Sequence, residues 1–568
     1  MNIFNYYKKS FIKTLNNEGY EFLNLEDKFL VEKPKKEGYG DITFNAALIF
    51  SSKLKSDPMD IALNFKTILK KNFKEFEVIE IYKPGFINFV FNKNFWFSFL
   101  KKINNEYGIP NINSQNILIE FVSANPTGPL HVGHCRGAVL GDVLSNLLVY
   151  TGNKVTKEYY VNDYGNQIDI FVESVYRRII EIINNNPFPE NSNLYPGQYI
   201  IDIAQNIIKK KIINNFDNYE AIKNNLSDLC IKEAMILIKQ GLKSIGINHD
   251  SFIYETDIVK KDLINKAINK LSKNNYIYEG YLPQPKSVNE KNWVKRKQLL
   301  FKSTLFGDDE DRALKKFDGT WTYFANDIAY HDYKIERKFN KYINILGADH
   351  AGYLKRISSS VDALKKNVEF TCKVTQLVKL FKSGKPYKMS KRAGDFIELK
   401  DLVLAVGKDA VRFMMVYRNT DSQLDFDFDI VTDKSKDNPV FYVQYATARI
   451  NSLFRKLKLN INEEILDVDL SLIKDKHEIN IIKKISEWPH VIDLSSKNLE
   501  PHRIPYYLYE LSSYFHTYWN MGKNNDSFKI IDNKNKELVK ARIYLIKKIY
   551  FILEKGLNIL NVAVLKEM

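Results

Sequence analysis

Residues 117–148 read ILIEFVSANPTGPLHVGHCRGAVLGDVLSNLL, and this stretch decides the fold. Ile117, Leu118 and Ile119 make a short apolar run of the buried-strand type. Asn125, Pro126, Gly128 and Pro129 break that run. Val139, Leu140, Val143, Leu144, Leu147 and Leu148 then recur at helical spacing, so a helix follows the loop. His131 and His134 stand three apart at the junction of loop and helix, with Gly133 between them. The first turn of such a helix presents unpaired N–H groups and the positive end of the helix dipole, which makes the junction a phosphate site.

His131-Val132-Gly133-His134 resembles the HIGH motif of class I aminoacyl-tRNA synthetases, and Lys388-Met389-Ser390-Lys391 far downstream matches their KMSK motif. Either motif alone recurs by chance; both, in this order in one chain, are specific. The surrounding segments EFVSANPTGPLHVGH, YYVNDYGNQ, FGDDEDR, TYFANDIAYH, LGADHAGY and KMSKRAG resemble arginyl-tRNA synthetases over nearly the whole chain. The resemblance implies an α/β catalytic core on a Rossmann-like parallel sheet, with an N-terminal α+β domain and a C-terminal all-α helical anticodon-binding domain. It implies an arginine–tRNA ligase that activates L-arginine with ATP and transfers it to the 3′ end of tRNA-Arg, releasing AMP and pyrophosphate. It also implies that tRNA is bound before arginine is activated.

At 568 residues the chain is too long for one core, and about three or four domains are expected. The net charge of +16 fits a polyanionic partner such as tRNA. Asn, Lys and Ile crowd the chain, as A/T-rich coding would give, so the charge supports that partner without establishing it. Cys135, Cys230 and Cys372 form no CxxC pair, which argues against a disulfide framework and against zinc. No signal-peptide core and no run of about 18 apolar residues occurs. A cytoplasmic monomer without a membrane partner is expected.

Residues 1–110 read as a separate N-terminal domain, with a helical opening and the strand-like IYKPGFINFVF. Phe86 and Asn88 sit where the family places tRNA contacts; a core aromatic of a strand is an equal reading of Phe86. Residues 111–430 read as the catalytic domain, alternating strand-like and helical runs, with a helical insertion around 168–250. Residues 431–568 are helical in pattern; the last long helix is expected to end at Gly556.

In-line displacement at the α-phosphate of ATP needs donors fixed around the phosphates more than a covalent nucleophile. His131 and His134, on one side of a helix start, suit that task, and Gly133 leaves room for the nucleotide. Lys388 and Lys391 are the other catalytic candidates, on a loop flanked by Gly384 and Gly394 that reads as mobile. Met389, Ser390, Gly347, Asp349 and His350 are assigned to ATP; the last three follow the strand-like YINIL. Mg2+ is expected only through the ATP phosphates, with no metal held by protein ligands.

A guanidinium calls for carboxylates. By resemblance, Glu120, Ser123, Asn125, Tyr323 and Asp327 line the arginine pocket. Glu120 ends an apolar strand, a costly place for an acid unless it is paired. Tyr323 and Asp327, four apart, share a helix face. Asn162, Asp163 and Gln167 match a family motif near the active site, with turn formation by Asn-Asp as the alternative.

A cysteinyl enzyme would want a Cys/His cluster, and a class I lysyl enzyme would not need two carboxylates for its substrate. A scaffold without catalysis would have lost His or Lys from the two motifs. A small nucleotidylyltransferase would lack the length and the helical C-terminal region.

Overall fold

The apolar run that opens the decisive stretch becomes the middle strand of a parallel sheet, where both of its faces are covered. The computed structural model describes residues 1–21, 25–36, 38–189, 193–283, 296–387, 397–531 and 535–568. The chain divides into two compact units, residues 1–111 together with 433–568, and Ile112–Thr432.

In the first unit, β1 (Val31–Glu32), β2 (Ile42–Phe44), β3 (Phe76–Tyr82) and β4 (Phe86–Phe91) form an antiparallel sheet in the order β1-β2-β4-β3. Its inner face is aromatic. Phe11, from the Ile3–Asn17 helix, stacks on Phe89 of β4 at 4.8 Å, and both rings are fully buried. The C-terminal helices belong to the same unit: Pro439–Lys456, Lys476–Ser486, Trp488–Lys497, Arg503–Asn524 and Lys536–Leu560. Asn438 caps the first of them, accepting from Phe441 N at 3.3 Å, and Pro439 takes the first helical position.

The N-terminal region reads from sequence as separate, yet it packs on these helices. The Tyr107 hydroxyl donates to Ile485 O at 2.9 Å, and Lys483 pairs with Asp41 at 2.6 Å. One expectation is corrected here. The last helix does not end at Gly556 but runs on to Leu560, where Asn561 takes the left-handed conformation at φ +53°. Gly556 serves helix packing instead: a Cβ there would lie 2.5 Å from Leu508 Cδ2 on the Arg503–Asn524 helix.

The second unit is built on β5 (Asn116–Glu120), β6 (Lys154–Val161), β7 (Ser251–Tyr254), β11 (Lys341–Gly347) and β12 (Glu369–Thr375). These strands run parallel in the order β12-β11-β5-β6-β7. The chain moves outward from β5 to β7, then returns to the other side of β5. The strand order therefore reverses between β5 and β11, and it is beyond the carboxyl ends at such a reversal that open α/β sheets form the crevice that binds ligands. Three helices, Asn166–Asn184, Gln198–Lys210 and Tyr219–Ser244, fill the connection from β6 to β7. A small antiparallel sheet of β8 (Ile277–Gly280), β9 (Gln298–Phe301) and β10 (Arg312–Ala313) precedes the Tyr323–Glu336 helix. Finally β13 (Val378–Lys382) pairs with β14 (Lys385–Pro386) and with β15 (Leu424–Asp427).

Candidate active site

The His131–His134 segment forms the start of the Val132–Tyr150 helix, and the two rings cap it together. His131 is the N-cap. Its Nδ1 accepts from Gly133 N at 3.1 Å, while His134 Nδ1 accepts from His131 N at 3.3 Å. With both Nδ1 atoms accepting, each neutral ring carries its proton on Nε2 as a donor. Burial lowers the pKa of His131, and burial reinforced by His131 takes His134 down to about 4, against the opposing pull of Asp349. Both rings are therefore neutral donors at pH 7, with centroids 4.0 Å apart. Gly133 has a closer reason than nucleotide access: a Cβ there would meet the His131 ring at 2.8 Å and disturb the cap.

Arg136, one turn on and buried, donates to the carbonyls of Gln376, Ser422 and Asn419 at 3.0, 2.7 and 2.8 Å. It ties the helix start to the strands around the second motif. Lys388, Met389, Ser390 and Lys391 themselves lie outside the described residues. The chain on their far side is anchored to the first motif, since Val132 N donates to Ile397 O at 2.9 Å and Leu399 N to Leu130 O at 2.8 Å. On their near side, Ser383 and Gly384, at φ +52° and +69°, make the tight turn between β13 and β14.

Glu120 ends β5, buried, and it is paired as its placement demands. Lys334, 1% exposed on the Tyr323–Glu336 helix, bonds its Oε2 and also donates to Asn344 Oδ1 at 2.9 Å. Ser123 Oγ donates to Glu120 Oε1 at 2.9 Å and accepts from Tyr160 N at 3.1 Å. On the same helix face Asp327, partly exposed, accepts from the Tyr353 hydroxyl at 2.8 Å. Burial and nearby Glu120 push its carboxyl up to about 7, with Tyr353 and Lys334 opposing. Tyr323 stands at the helix start, 54% exposed, with its hydroxyl beside Gly165. Glu120, Ser123, Tyr323 and Asp327 thus converge at the crevice, and Asn125 joins them by bonding Gln167.

Asn162 and Asp163 hold the wall of the crevice. Asp163 accepts from Thr256 N and Oγ1 at 2.9 and 2.7 Å, and burial raises its pKa. The Asn162 amide donates to Glu255, which sequence reading missed. Glu255 is buried, accepts from Asn326 Nδ2 at 2.6 Å, and is raised to about 7 by burial together with Asp327 and Asp163. Lys334 was missed as well, although Tyr323, Asp327, Tyr330 and Lys334 fall on one helical stripe and that spacing was the available signal. No local pattern marks Glu255; β7 delivers it.

Gly347 ends β11, and a Cβ there would lie 2.6 Å from Asp349 Oδ1, so the glycine lets Asp349 fold back. Asp349 and His350 are exposed, 3.5 Å apart. In the other unit Phe86 is half-buried. Asn88, the other residue placed at a tRNA contact by resemblance, is buried. It is 5% exposed, accepts from Thr43 Oγ1 at 2.6 Å and donates to Tyr39 O at 2.7 Å, so its amide ties β4 to β2 and to the loop before β2.

A parallel sheet with a histidine-capped helix at its switch point and an acid-lined crevice beside it defines a class I synthetase catalytic unit. Family models match accordingly: "tRNA synthetases class I (R), catalytic domain" over residues 99–452, "Arginyl tRNA synthetase N terminal domain" over 5–91, and "DALR anticodon binding domain" over 443–568. The chain is 50% identical to the arginine–tRNA ligase of Pelagibacter ubique over the full length of both proteins. It is 44% identical to that of Ehrlichia ruminantium, covering 95% of this chain and 94% of the relative. Its fold is that of Thermus thermophilus arginyl-tRNA synthetase, with a TM-score of 0.72, 18% identity, and 99% of this chain and 100% of that one covered. The chain belongs to the arginyl-tRNA synthetase family.

Proposed function

We propose how the described groups divide the work of this arginine–tRNA ligase. The observation that carries the reading is the partly exposed Asp327 carboxyl, on one helix face with exposed Tyr323 and beside buried Glu120. Asp327 takes the guanidinium through two charge-assisted hydrogen bonds. Glu120, fixed by Lys334 and Ser123, supplies a second negative edge, and Tyr323 packs on the aliphatic stem. Asn125 binds the substrate's polar end, with Gln167 orienting it. Asn162 and Asp163 hold the wall, and Asp163 and Glu255 add negative potential.

His131 and His134 offer Nε2–H to the ATP phosphates as the arginine carboxylate displaces pyrophosphate. Lys388 and Lys391 meet the leaving pyrophosphate, and Met389 and Ser390 flank the nucleotide. Gly347, Asp349 and His350 border the nucleotide at the end of β11. Mg2+ arrives on the ATP phosphates. The N-terminal region (1–110) serves tRNA contact, 111–430 catalysis and 431–568 the anticodon, in a monomeric cytoplasmic enzyme.

Pyrophosphate exchange with arginine, with and without tRNA-Arg, tests this reading, with lysine and cysteine as controls. Exchange is expected only with arginine plus tRNA. Full exchange without tRNA would reject the tRNA coupling, and none under any condition would leave a scaffold without catalysis.

The pH dependence is a second test. Protonated Asp327 cannot pair with a guanidinium through both oxygens, and burial with Glu120 raises its pKa to about 7. Binding arginine therefore expels a proton at neutral pH. The value of kcat/KM for arginine should rise by about tenfold per pH unit below that pKa and level off above it. Glu255, raised to about 7 beside it, titrates with it and broadens the inflection. The same profile in Asp327→Asn would show that another group sets it.

A further inference from the structure

β10 runs into a second hairpin, residues 315–321, which closes on Thr322, the N-cap of the Tyr323–Glu336 helix. Its backbone is well held. Lys315 and Trp321 form an antiparallel bridge, Lys316 N donates to Thr320 O at 2.7 Å, and Asp318 Oδ1 accepts from Thr320 N at 2.9 Å. Gly319 turns the tip at φ +82°. Two residues before it in the turn, Phe317 is 84% exposed.

One exposed aromatic is ordinary. Here, however, every ring on the strip has a cation over it. Lys315 Nζ lies 4.7 Å from the centroid of Trp321, Lys316 Nζ 5.3 Å from Tyr323, and the Arg296 guanidinium 5.3 Å from Phe317. Alternating π-faces and flexible cations on a firm backbone are what sequence-tolerant single-stranded nucleic-acid sites use: rings stack bases while the cations swing to the phosphates. The strip ends at Tyr323, at the mouth of the pocket that holds Asp327.

We propose that the 315–321 hairpin receives the single-stranded 3′ end of tRNA. Phe317 stacks a base, and Lys315 and Lys316 neutralise phosphates as the terminal ribose enters the crevice. The proposal rests on tRNA being the acceptor of the activated arginine.

The test is a thermodynamic cycle between hairpin and tRNA end. Wild-type enzyme, Phe317→Ala and the double variant Lys315→Ala/Lys316→Ala are titrated with intact tRNA-Arg and with tRNA-Arg trimmed of its unpaired 3′ nucleotides. Trimming should weaken wild-type binding by about tenfold or more, as loss of base stacking does. Phe317→Ala should weaken binding of intact tRNA comparably and leave binding of trimmed tRNA within about twofold. For the lysine pair, the slope of log affinity against log salt should shrink by about 1.4 on intact tRNA and not on trimmed. Additive losses, or equal affinities throughout, overturn the proposal. Charging of intact tRNA, measured alongside, separates the two readings. If wild type charges and the losses are additive, only the hairpin role fails; if wild type does not charge, the ligase reading fails and takes the hairpin role with it.

Discussion

Lys334→Ala is expected to destabilise the enzyme by about 3–5 kcal/mol, because it leaves Glu120 as an uncompensated buried charge. Lys334 is 1% exposed and donates to both Glu120 and Asn344, so water cannot take its place without opening the packed interior around it. Denaturant unfolding would show a lower midpoint at unchanged slope. The KM for arginine should rise in parallel, since Glu120 loses the partner that aims it. A double variant, Lys334→Met with Glu120→Gln, removes both charges. It should recover stability to within about 1–2 kcal/mol of wild type, because no buried charge is then unpaired, yet its KM for arginine should stay high. If the single variant unfolds like wild type, the ion pair is not what holds Glu120.

Lys391→Ala should lower kcat by roughly 10²-fold, with the KM values for arginine and ATP nearly unchanged. In the proposed role the ammonium meets charge that develops on departing pyrophosphate, so its contact would strengthen in the transition state and not before it. Single-turnover formation of the adenylate reads this step directly. A fall of less than threefold would make Lys391 a solvated lysine, the ordinary fate of this residue type in a chain of net charge +16. The described chain that follows, from Ile397 to Leu399, is pinned by backbone bonds to Val132 and Leu130, so it shares one anchor with the histidine pair. Arg136 reinforces it through the carbonyls of Gln376 and of residues 419 and 422.

Much of the site was legible wherever its logic is local. The His131–His134 spacing forecast a helix start, and reciprocal capping is the means by which residues three apart meet. Tyr323 and Asp327 share a face because they are four apart on a helix. The demand that Glu120 be paired was legible too; its partner was not, although Lys334 lies on the stripe that holds Asp327. Gly556 misled because a glycine near a helix end reads as a stop, whereas its lack of a Cβ is used sideways against Leu508. Asn88 was matched to a family tRNA contact by motif alone, and motif does not show that β4 turns it toward Thr43 and the loop carrying Tyr39.

The sequence by itself determined the strand–loop–helix with its histidine-bearing start and the α/β class of the core. Each depends on interactions spanning a few residues, and those are written in spacing. Tertiary structure alone decided that β11 returns to the far side of β5 while β7 lies two strands away on the other. That order brings Glu120, Lys334, Glu255 and Asp349 to one crevice from four parts of the chain. Parallel strands are joined by long crossovers that leave no mark of who pairs with whom, and a buried charge requires a partner without naming it.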